Sequence, residues 1–200
     1  MTIHPAATAA ESRTARLRAE THPTHERLDG RIMSLKPFDD RNSYLRFLQI
    51  QCAFHAAIET LYSDEWLARL LPDLQERCRL EQVRADVTDL GGEPVRLAAA
   101  EMPVIEGAEA LGWLYVAEGS NLGAAFLLKA AREQLGLSEE FGARHLAGHP
   151  EGRGLQWRRF TAALDAVELG AEDDSLVIEG AHRAFEFVLS RVEAEATGAA

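Results

Sequence analysis

Hydrophobic residues recur at three- and four-residue steps along almost the whole chain, which is the period of amphipathic α-helices. No segment alternates in the manner of a β-strand, and no internal repeat is present. The pattern predicts an all-α fold of roughly seven to nine helices, as one domain over residues 11–195 that follows a flexible N-terminus at residues 1–10. Beyond the N-terminal segment, the expected helices cover residues 41–61, 73–90, 108–135, 138–148, 155–169 and 172–194.

Capping residues indicate where several of these helices begin and end. Asp40 precedes the helix at Arg41, Asp73 precedes the next helix, and Ser138 precedes the short one. Gly91-Gly92 is expected to end the helix that begins at Asp73.

Composition and charge limit the classes of function that this chain can have. The 200 residues suit one domain, and no apolar run approaches the ~20 residues of a membrane-spanning helix. A net charge of −11 disfavours nucleic-acid binding, because phosphate would be repelled. The first twenty residues lack the apolar core of a signal peptide, and two cysteines form no disulfide framework. We therefore expect a cytoplasmic enzyme, small-molecule binder or interaction module.

Two histidines near the start of the chain could carry chemistry. His22 and His25 are three residues apart and share a face of a helix. They could be two solvated side chains, but a neutral imidazole is also the commonest metal ligand and can bind a haem iron. Pro23 disfavours a helical backbone at His22, which favours His25 as the ligand.

Two glycines interrupt an apolar helical pattern four residues apart. An interior glycine costs roughly 0.8–1 kcal/mol relative to alanine, so Gly119 and Gly123 need a reason. Either they allow another helix to pack closely, or a flat ligand lies against the exposed backbone. Ser120 and Asn121 are the nearby polar groups that could hold water.

These segments resemble the bacterial haem oxygenases. LGWLYVAEGSNLGAAFLLKAA is similar to the distal helix of that family, and THPTHERLD is similar to its proximal histidine segment. FGARHLAG and the helix that contains Trp157 are similar to its C-terminal part. The likeness spans roughly residues 15–190 and implies a helical bundle that holds haem between a proximal and a distal helix.

The resemblance implies a role for particular residues. His25 matches the axial iron ligand, and Gly119 and Gly123 match the glycines that face the distal side of the haem. Ser120 stands where mammalian relatives have aspartate, and with the two glycines it forms the expected catalytic set. The expected haem-binding residues are Arg18, Tyr115, Asn121 and Arg158, of which the two arginines match basic positions that meet the propionates.

The resemblance also implies a reaction. Haem would be both cofactor and substrate, and O2 bound at its own iron would open the macrocycle to biliverdin, carbon monoxide and ferrous iron. Electrons would come from an external reductase or a ferredoxin-type protein. The reaction would serve either iron acquisition or the supply of biliverdin to a phytochrome.

The rim of the expected haem pocket bears on which biliverdin isomer forms. Some relatives hold the haem rotated, with lysines that bind the propionates, whereas this chain has Met33 and Ala130 near the matching positions. Biliverdin IXα is therefore the expected product, although Lys36 and Lys129 are close enough in sequence to substitute.

Three other functions remain open from the sequence. A non-enzymatic haem carrier could use the same histidine and glycines. A thiaminase-like enzyme has a related helical fold but needs a nucleophilic cysteine, for which only Cys52 and Cys78 are available. A pure interaction module would bind no haem.

Overall fold

The computed structural model describes residues 12–198, which form a bundle of seven α-helices and confirm the all-α prediction. The expected flexible segment at residues 1–10 lies outside the described residues. The helices are α1 (Arg13–Ser34), α2 (Arg41–Ala57), α3 (Glu65–Leu70), α4 (Leu80–Asp89), α5 (Glu109–Leu135), α6 (Arg153–Ala166) and α7 (Ala171–Thr197). Short 3-10 turns lie at Glu59–Ser63, Gln75–Arg77, Ala99–Glu101 and Arg144–Leu146.

The first helix runs without a break through its proline. The Ser12 side chain accepts a hydrogen bond from the Ala15 amide, which caps α1. Pro23 lies inside α1, so the expectation that it removes His22 from the helix is wrong. A proline in a helix interior lacks one amide and crowds the preceding turn, and here the helix tolerates that loss because tertiary packing holds it. Both histidines are therefore helical.

The second helix begins as predicted and ends earlier. The Asp40 carboxylate accepts from the Ser43 amide at 2.7 Å, which confirms this N-cap. The expected helix to Leu61 instead stops at Ala57 and tightens into the 3-10 turn Glu59–Ser63. Leu61 and Tyr62 are still buried in this 3-10 turn. The apolar pattern that predicted a longer helix therefore continues after the α-helix has ended.

Two predicted helix starts are wrong. Asp73 has a left-handed backbone with φ of 57°, not the extended backbone of an N-cap, and α4 begins only at Leu80. After Ser138 the chain forms isolated bridges to Phe141 and Gly142 and a 3-10 turn in place of a helix.

Side chains of α4 explain why the segment after Ser138 is not helical. The Asp89 carboxylate accepts from the Gly142 amide at 2.8 Å. The Asp86 carboxylate accepts from the amides of Arg144 and His145 at 2.8 and 2.9 Å. These bonds satisfy amides that a helix would otherwise pair within itself.

The two long helices α5 and α7 form the centre of the bundle. A Cβ at Gly112 would overlap the carbonyl oxygen of Val177 and lie 2.5 Å from the Ala181 amide nitrogen. Both α1 and α6 also pack against this pair, with α1 on α7 and α6 on α5. Residues of α1 and α5 make few or no close contacts with each other in the described part of the chain, and we refer to the space between the two helices as the gap.

A second part of the core lies at the C-terminal end of α5. It is formed by α2, α4, the C-terminal half of α5 and the segment around Leu146. None of the helices in residues 12–198 combines the length and hydrophobicity that crossing a bilayer would take.

Candidate functional site

His25 lies on an exposed face of α1. Arg18 and His25 are seven residues apart, two helical turns, and so share one face of the helix. His25 Nδ1 lies 3.2 Å from Asp29 Oδ2, and the His25 ring contacts the edge of Phe185 from α7. The side chain is 55% exposed, so its remaining nitrogen, Nε2, is available to a ligand.

Neither of the two glycines of α5 is packed tightly against another helix. A Cβ at Gly123 would meet no atom of another part of the described chain within 4 Å, and a Cβ at Gly119 would only touch the Trp157 ring at 3.9 Å. Phe126, on the same face of α5, is 82% exposed. Of the two explanations for these glycines, close helix packing is therefore wrong, and this face of α5 is open to a flat ligand.

Tyr115 of α5 interacts with one residue of α6 and one residue of α1. Its ring lies 5.5 Å from the Trp157 ring between centroids. Burial raises the pKa of the Tyr115 hydroxyl, and the nearby Arg18 guanidinium opposes that shift. The Arg18 charge of α1 therefore acts on a side chain of α5.

Ser120 and Asn121 differ in where they lie on α5. The Ser120 hydroxyl is exposed and donates to the Ala117 carbonyl at 2.7 Å. The Asn121 carbonyl accepts from Arg153 at 2.9 Å, and Asn121 lines a cavity between α5 and α6. Since neighbouring residues are rotated by about 100° around a helix, Asn121 lies on the far side of α5 from the glycine face.

Four arginines of α1 and α6 fall into two groups. Arg159 pairs with Glu151 at 2.5 Å, and Arg153 donates to backbone carbonyls. Arg18 and Arg158 are exposed and pair with no carboxylate in residues 12–198. These two arginines are therefore free to bind an anionic group of a ligand.

A buried ion pair behind the glycine face was missed by the sequence analysis. Arg77 donates to Glu118 Oε2 at 2.6 Å and to Gln156 Oε1 at 3.0 Å. Burial raises the pKa of Glu118, and Arg77 opposes the shift. The available signal was a lone glutamate within the apolar run that precedes Gly119, since such a residue is almost never buried without a partner.

A second buried pair joins α4 to the turn at Arg144–Leu146. His145 Nδ1 lies 2.7 Å from Asp86 Oδ2, and both side chains are buried. Burial, with smaller effects from the His145 and Arg79 charges, lowers the pKa of nearby His55 to about 3. His55 is therefore neutral at physiological pH.

The described residues support neither a reactive cysteine nor a metal site built from several side chains. Cys52 and Cys78 are free thiols, and burial raises the pKa of both, which disfavours the reactive thiolate. Within residues 12–198, no group of three or more His, Cys, Asp or Glu side chains is placed to hold a metal ion.

Comparison with known proteins identifies the family. The sequence model described as "Heme oxygenase" matches residues 11–194. The chain belongs to the haem oxygenase family. It is therefore a haem-degrading oxygenase that acts on haem and O2, and the sequence resemblance is confirmed.

Relatives of this haem oxygenase support the assignment. It is 44% identical to the haem oxygenase PigA of Pseudomonas aeruginosa over 190 residues, which cover 92% of this chain and 93% of the relative. It is 34% identical to a haem oxygenase of Xanthomonas campestris over 160 residues, with 78% and 93% covered. The thiaminase-like enzyme and the interaction module are therefore excluded.

Solved structures agree with the fold of this haem oxygenase. The haem oxygenase of Neisseria meningitidis superposes with a TM-score of 0.89 at 42% identity, over 96% of this chain and 94% of that one. Haem oxygenase-1 of the cyanobacterium Synechocystis, solved in complex with haem, superposes with a TM-score of 0.75 at 16% identity, over 94% of each chain. At that identity the second match supports the fold alone.

Proposed function

We propose that this haem oxygenase binds haem in the gap between α1 and α5, with His25 as the iron ligand, and converts it to biliverdin IXα, carbon monoxide and ferrous iron. The observation that carries the proposal is the open glycine face of α5 beside α1, the helix that carries His25. At Gly123 no side chain or neighbouring helix fills the space, and a flat macrocycle fits such a face.

The residues present suit haem as a ligand. The His25 imidazole suits the iron, and the open glycine backbone suits the flat macrocycle. The exposed ring of Phe126 suits its apolar edge. Arg18 and Arg158 would bind the propionates, since guanidinium groups form strong charge-assisted hydrogen bonds with carboxylates. Tyr115 would pack against the haem from the α5 side.

His25 is prepared for ligation by its own helix. A carboxylate that accepts from one imidazole nitrogen fixes the tautomer and leaves the other nitrogen as the metal ligand. Asp29 is placed to accept from Nδ1 of His25, so Nε2 would bind the iron.

Gly119, Gly123 and Ser120 would form the opposite wall. Haem, when bound, supplies the iron at which O2 is activated. The glycines place no acid or base against that face, because their amides and carbonyls are bonded within the helix. The Ser120 hydroxyl is exposed beside this face and would hold water that delivers a proton, whereas Asn121 lines the cavity on the far side of α5 and would not contact the macrocycle.

Electrons would come from an external reductase or ferredoxin-type protein. The net charge of −11 would repel an acidic donor at long range, so a local basic patch would dock it. We place the reaction in the cytoplasm, where the free thiols of Cys52 and Cys78 would stay reduced.

A single-turnover assay tests this function. The haem complex is given O2 with ascorbate or a reductase, and the pigment is extracted and separated by chromatography against the four biliverdin isomers. We expect a dominant IXα peak. Haem that stays intact would identify a carrier. A dominant β or δ peak would show that Lys36 or Lys129 holds the haem rotated, in spite of Met33 and Ala130 at the rim.

A further inference from the structure

Three arginines line the cavity between α5 and α6, and two of them lack a counter-charge. Only Arg77 is paired with a carboxylate in the described part of the chain, through its contact with Glu118. Arg153 donates to backbone carbonyl oxygens, and the buried Nε of Arg79 has no hydrogen-bond partner in residues 12–198. Because a guanidinium group that is removed from water without a partner is costly, a ligand with negative charge would be stabilised here.

The two arginines without a counter-charge come from different parts of the chain and line the same cavity. Arg79 directly precedes α4, and Arg153 is the first residue of α6. Burial and the Arg79 charge both lower the pKa of Arg153, and Glu139 opposes them. An anion bound between the two guanidinium groups would relieve their repulsion.

His149 supplies a further hydrogen-bond donor at this cavity. Its Nδ1 accepts from the Glu151 amide at 3.1 Å and lies 3.1 Å from Nε2 of Gln156. Since Oε1 of Gln156 accepts from Arg77, the Nε2 group of Gln156 is a donor. Both contacts require an unprotonated Nδ1, which places the proton on Nε2 of His149. His149 lines the cavity, so this N–H is available to an anion.

The cavity also lies at the N-terminal end of α6. Gly152 provides no side-chain cap, and the first turn of α6 contains no acidic residue. The first amides of a helix have no partner within the helix, and this end of a helix favours negative charge. Because Arg153 and Gln156 from the first turn both line the cavity, the end of α6 adds to the attraction of an anion.

The size of the cavity and its carboxylates limit which anion can bind. The cavity volume of about 40 Å³ has room for about three water molecules, which admits a phosphate or a carboxylate group but not a nucleotide. Asp73 and Glu76 also line the cavity, but both are exposed, and neither forms an ion pair with Arg79 or Arg153 in the described residues. Water screens these exposed charges, so they weaken the attraction of an anion without removing it.

We propose that this cavity is a binding site for a small oxyanion, held between the guanidinium groups of Arg79 and Arg153 with His149 as a further donor. Guanidinium groups bind phosphate and carboxylate alike through charge-assisted hydrogen bonds. Trp157 lines the cavity, and its ring also touches the position of a Cβ at Gly119, so this side chain separates the anion site from the glycine face. The site therefore goes beyond the proposed function and does not depend on it.

Anion binding to the full-length, haem-free protein tests the site. Isothermal titration calorimetry is carried out with sodium phosphate and with sodium acetate, and sodium chloride at equal ionic strength controls for screening. Arg79→Gln is the main variant, because the buried Nε of Arg79 has no partner in the described residues to lose. Arg84→Gln is the matched control, since Arg84 is also half-buried but pairs with Glu81 and lies outside the cavity. A crystal structure grown with phosphate locates the anion.

We expect phosphate to bind saturably, with one anion per chain, and chloride not to reproduce the heat. Loss of a charge-assisted hydrogen bond should raise the Kd of Arg79→Gln at least about tenfold, whereas Arg84→Gln should keep the wild-type Kd. Glu76→Gln should lower the Kd, because it removes a negative charge at the cavity. Acetate that binds as tightly as phosphate would identify the natural ligand as a carboxylate, and binding of phosphate alone would identify it as phosphate.

Three results would overturn the anion site. Wild-type protein that binds neither phosphate nor acetate saturably has no such site. Phosphate that binds Arg79→Gln as tightly as wild type must bind elsewhere. A crystal structure in which Glu76 pairs with Arg79, with no anion in the cavity, would show an internal ion pair in place of a ligand site. Because haem is absent from these measurements, their outcome is distinct from that of the single-turnover assay.

Discussion

Gly112 of α5 and Gly180 of α7 face each other where the two longest helices come closest. A Cβ on Gly112 would lie 2.9 Å from the Gly180 carbonyl carbon, and a Cβ on Gly180 would lie 2.8 Å from Glu109 Cγ. Both added atoms would also overlap a backbone carbonyl oxygen of the opposite helix. These glycines serve the close helix packing that we considered for Gly119 and Gly123.

Replacing Gly112 with alanine should destabilise the protein. The methyl group must push backbone atoms of α7 apart, and overpacking of this kind costs about 1–3 kcal/mol, which exceeds the gain of about 1 kcal/mol from better helix propensity. The free energy of unfolding of the haem-free protein, from urea denaturation, measures the effect. A stability equal to wild type would contradict the close approach.

Replacing Gly123 with alanine should have the opposite effect on stability. Its methyl group meets open space, so the helix propensity gain of up to about 1 kcal/mol remains. The same methyl group should weaken haem binding or slow turnover, because it occupies the face on which the macrocycle is proposed to lie. Stability is measured without haem and affinity by haem titration. A variant with wild-type affinity and rate would place the haem elsewhere.

Replacing His25 with alanine should leave loose haem binding but abolish the absorption spectrum of a histidine-ligated haem and the turnover. His22→Ala is the matched control, because His22 is similarly exposed on the same helix and also lies near a carboxylate four residues on, Glu26. If His22→Ala loses the spectrum and His25→Ala keeps it, the ligand assignment is wrong.

Replacing Arg158 with alanine should weaken haem binding. A charge-assisted hydrogen bond is worth roughly 1.5–3 kcal/mol, and exposure reduces this to about 1 kcal/mol, or about fivefold in Kd. Arg159→Ala is the control, since Arg159 is already paired with Glu151. Haem titration measures the affinity of the variant, and chromatography identifies its product isomer. Wild-type affinity with an unchanged isomer would contradict propionate binding by Arg158.

Buried His55 should make the protein less stable in mild acid. Its pKa is about 3 in the folded protein and about 6.5 when unfolded, so below pH 6.5 the unfolded state binds the extra proton. Stability is then lost as the pH falls, by about 2 kcal/mol between pH 6.5 and pH 5. Urea denaturation at both values should show this loss in wild type and a smaller one in His55→Asn. Equal losses in both proteins would mean that His55 is accessible to protons when folded.

Local sequence determined much of this fold. The Asp40 cap and the apolar period predicted the start of α2 and nearly the full extent of α5, because caps and periodicity act within a few residues. The haem oxygenase resemblance also came from continuous segments around His25 and Gly119, and the family assignment confirmed it.

Only the tertiary structure decided which glycines pack and which face a ligand. Gly112 and Gly119 lie on the same helix in similar apolar surroundings, and what distinguishes them is whether α7 passes nearby. The Glu118–Arg77 and Asp86–His145 pairs join residues that are 41 and 59 positions apart. A lone glutamate in an apolar run indicates that Glu118 has a partner, but no local pattern identifies that partner, because it lies far away in the sequence. The helix expected after Ser138 does not form, because the Asp86 and Asp89 carboxylates of α4 accept hydrogen bonds from the backbone amides of that segment.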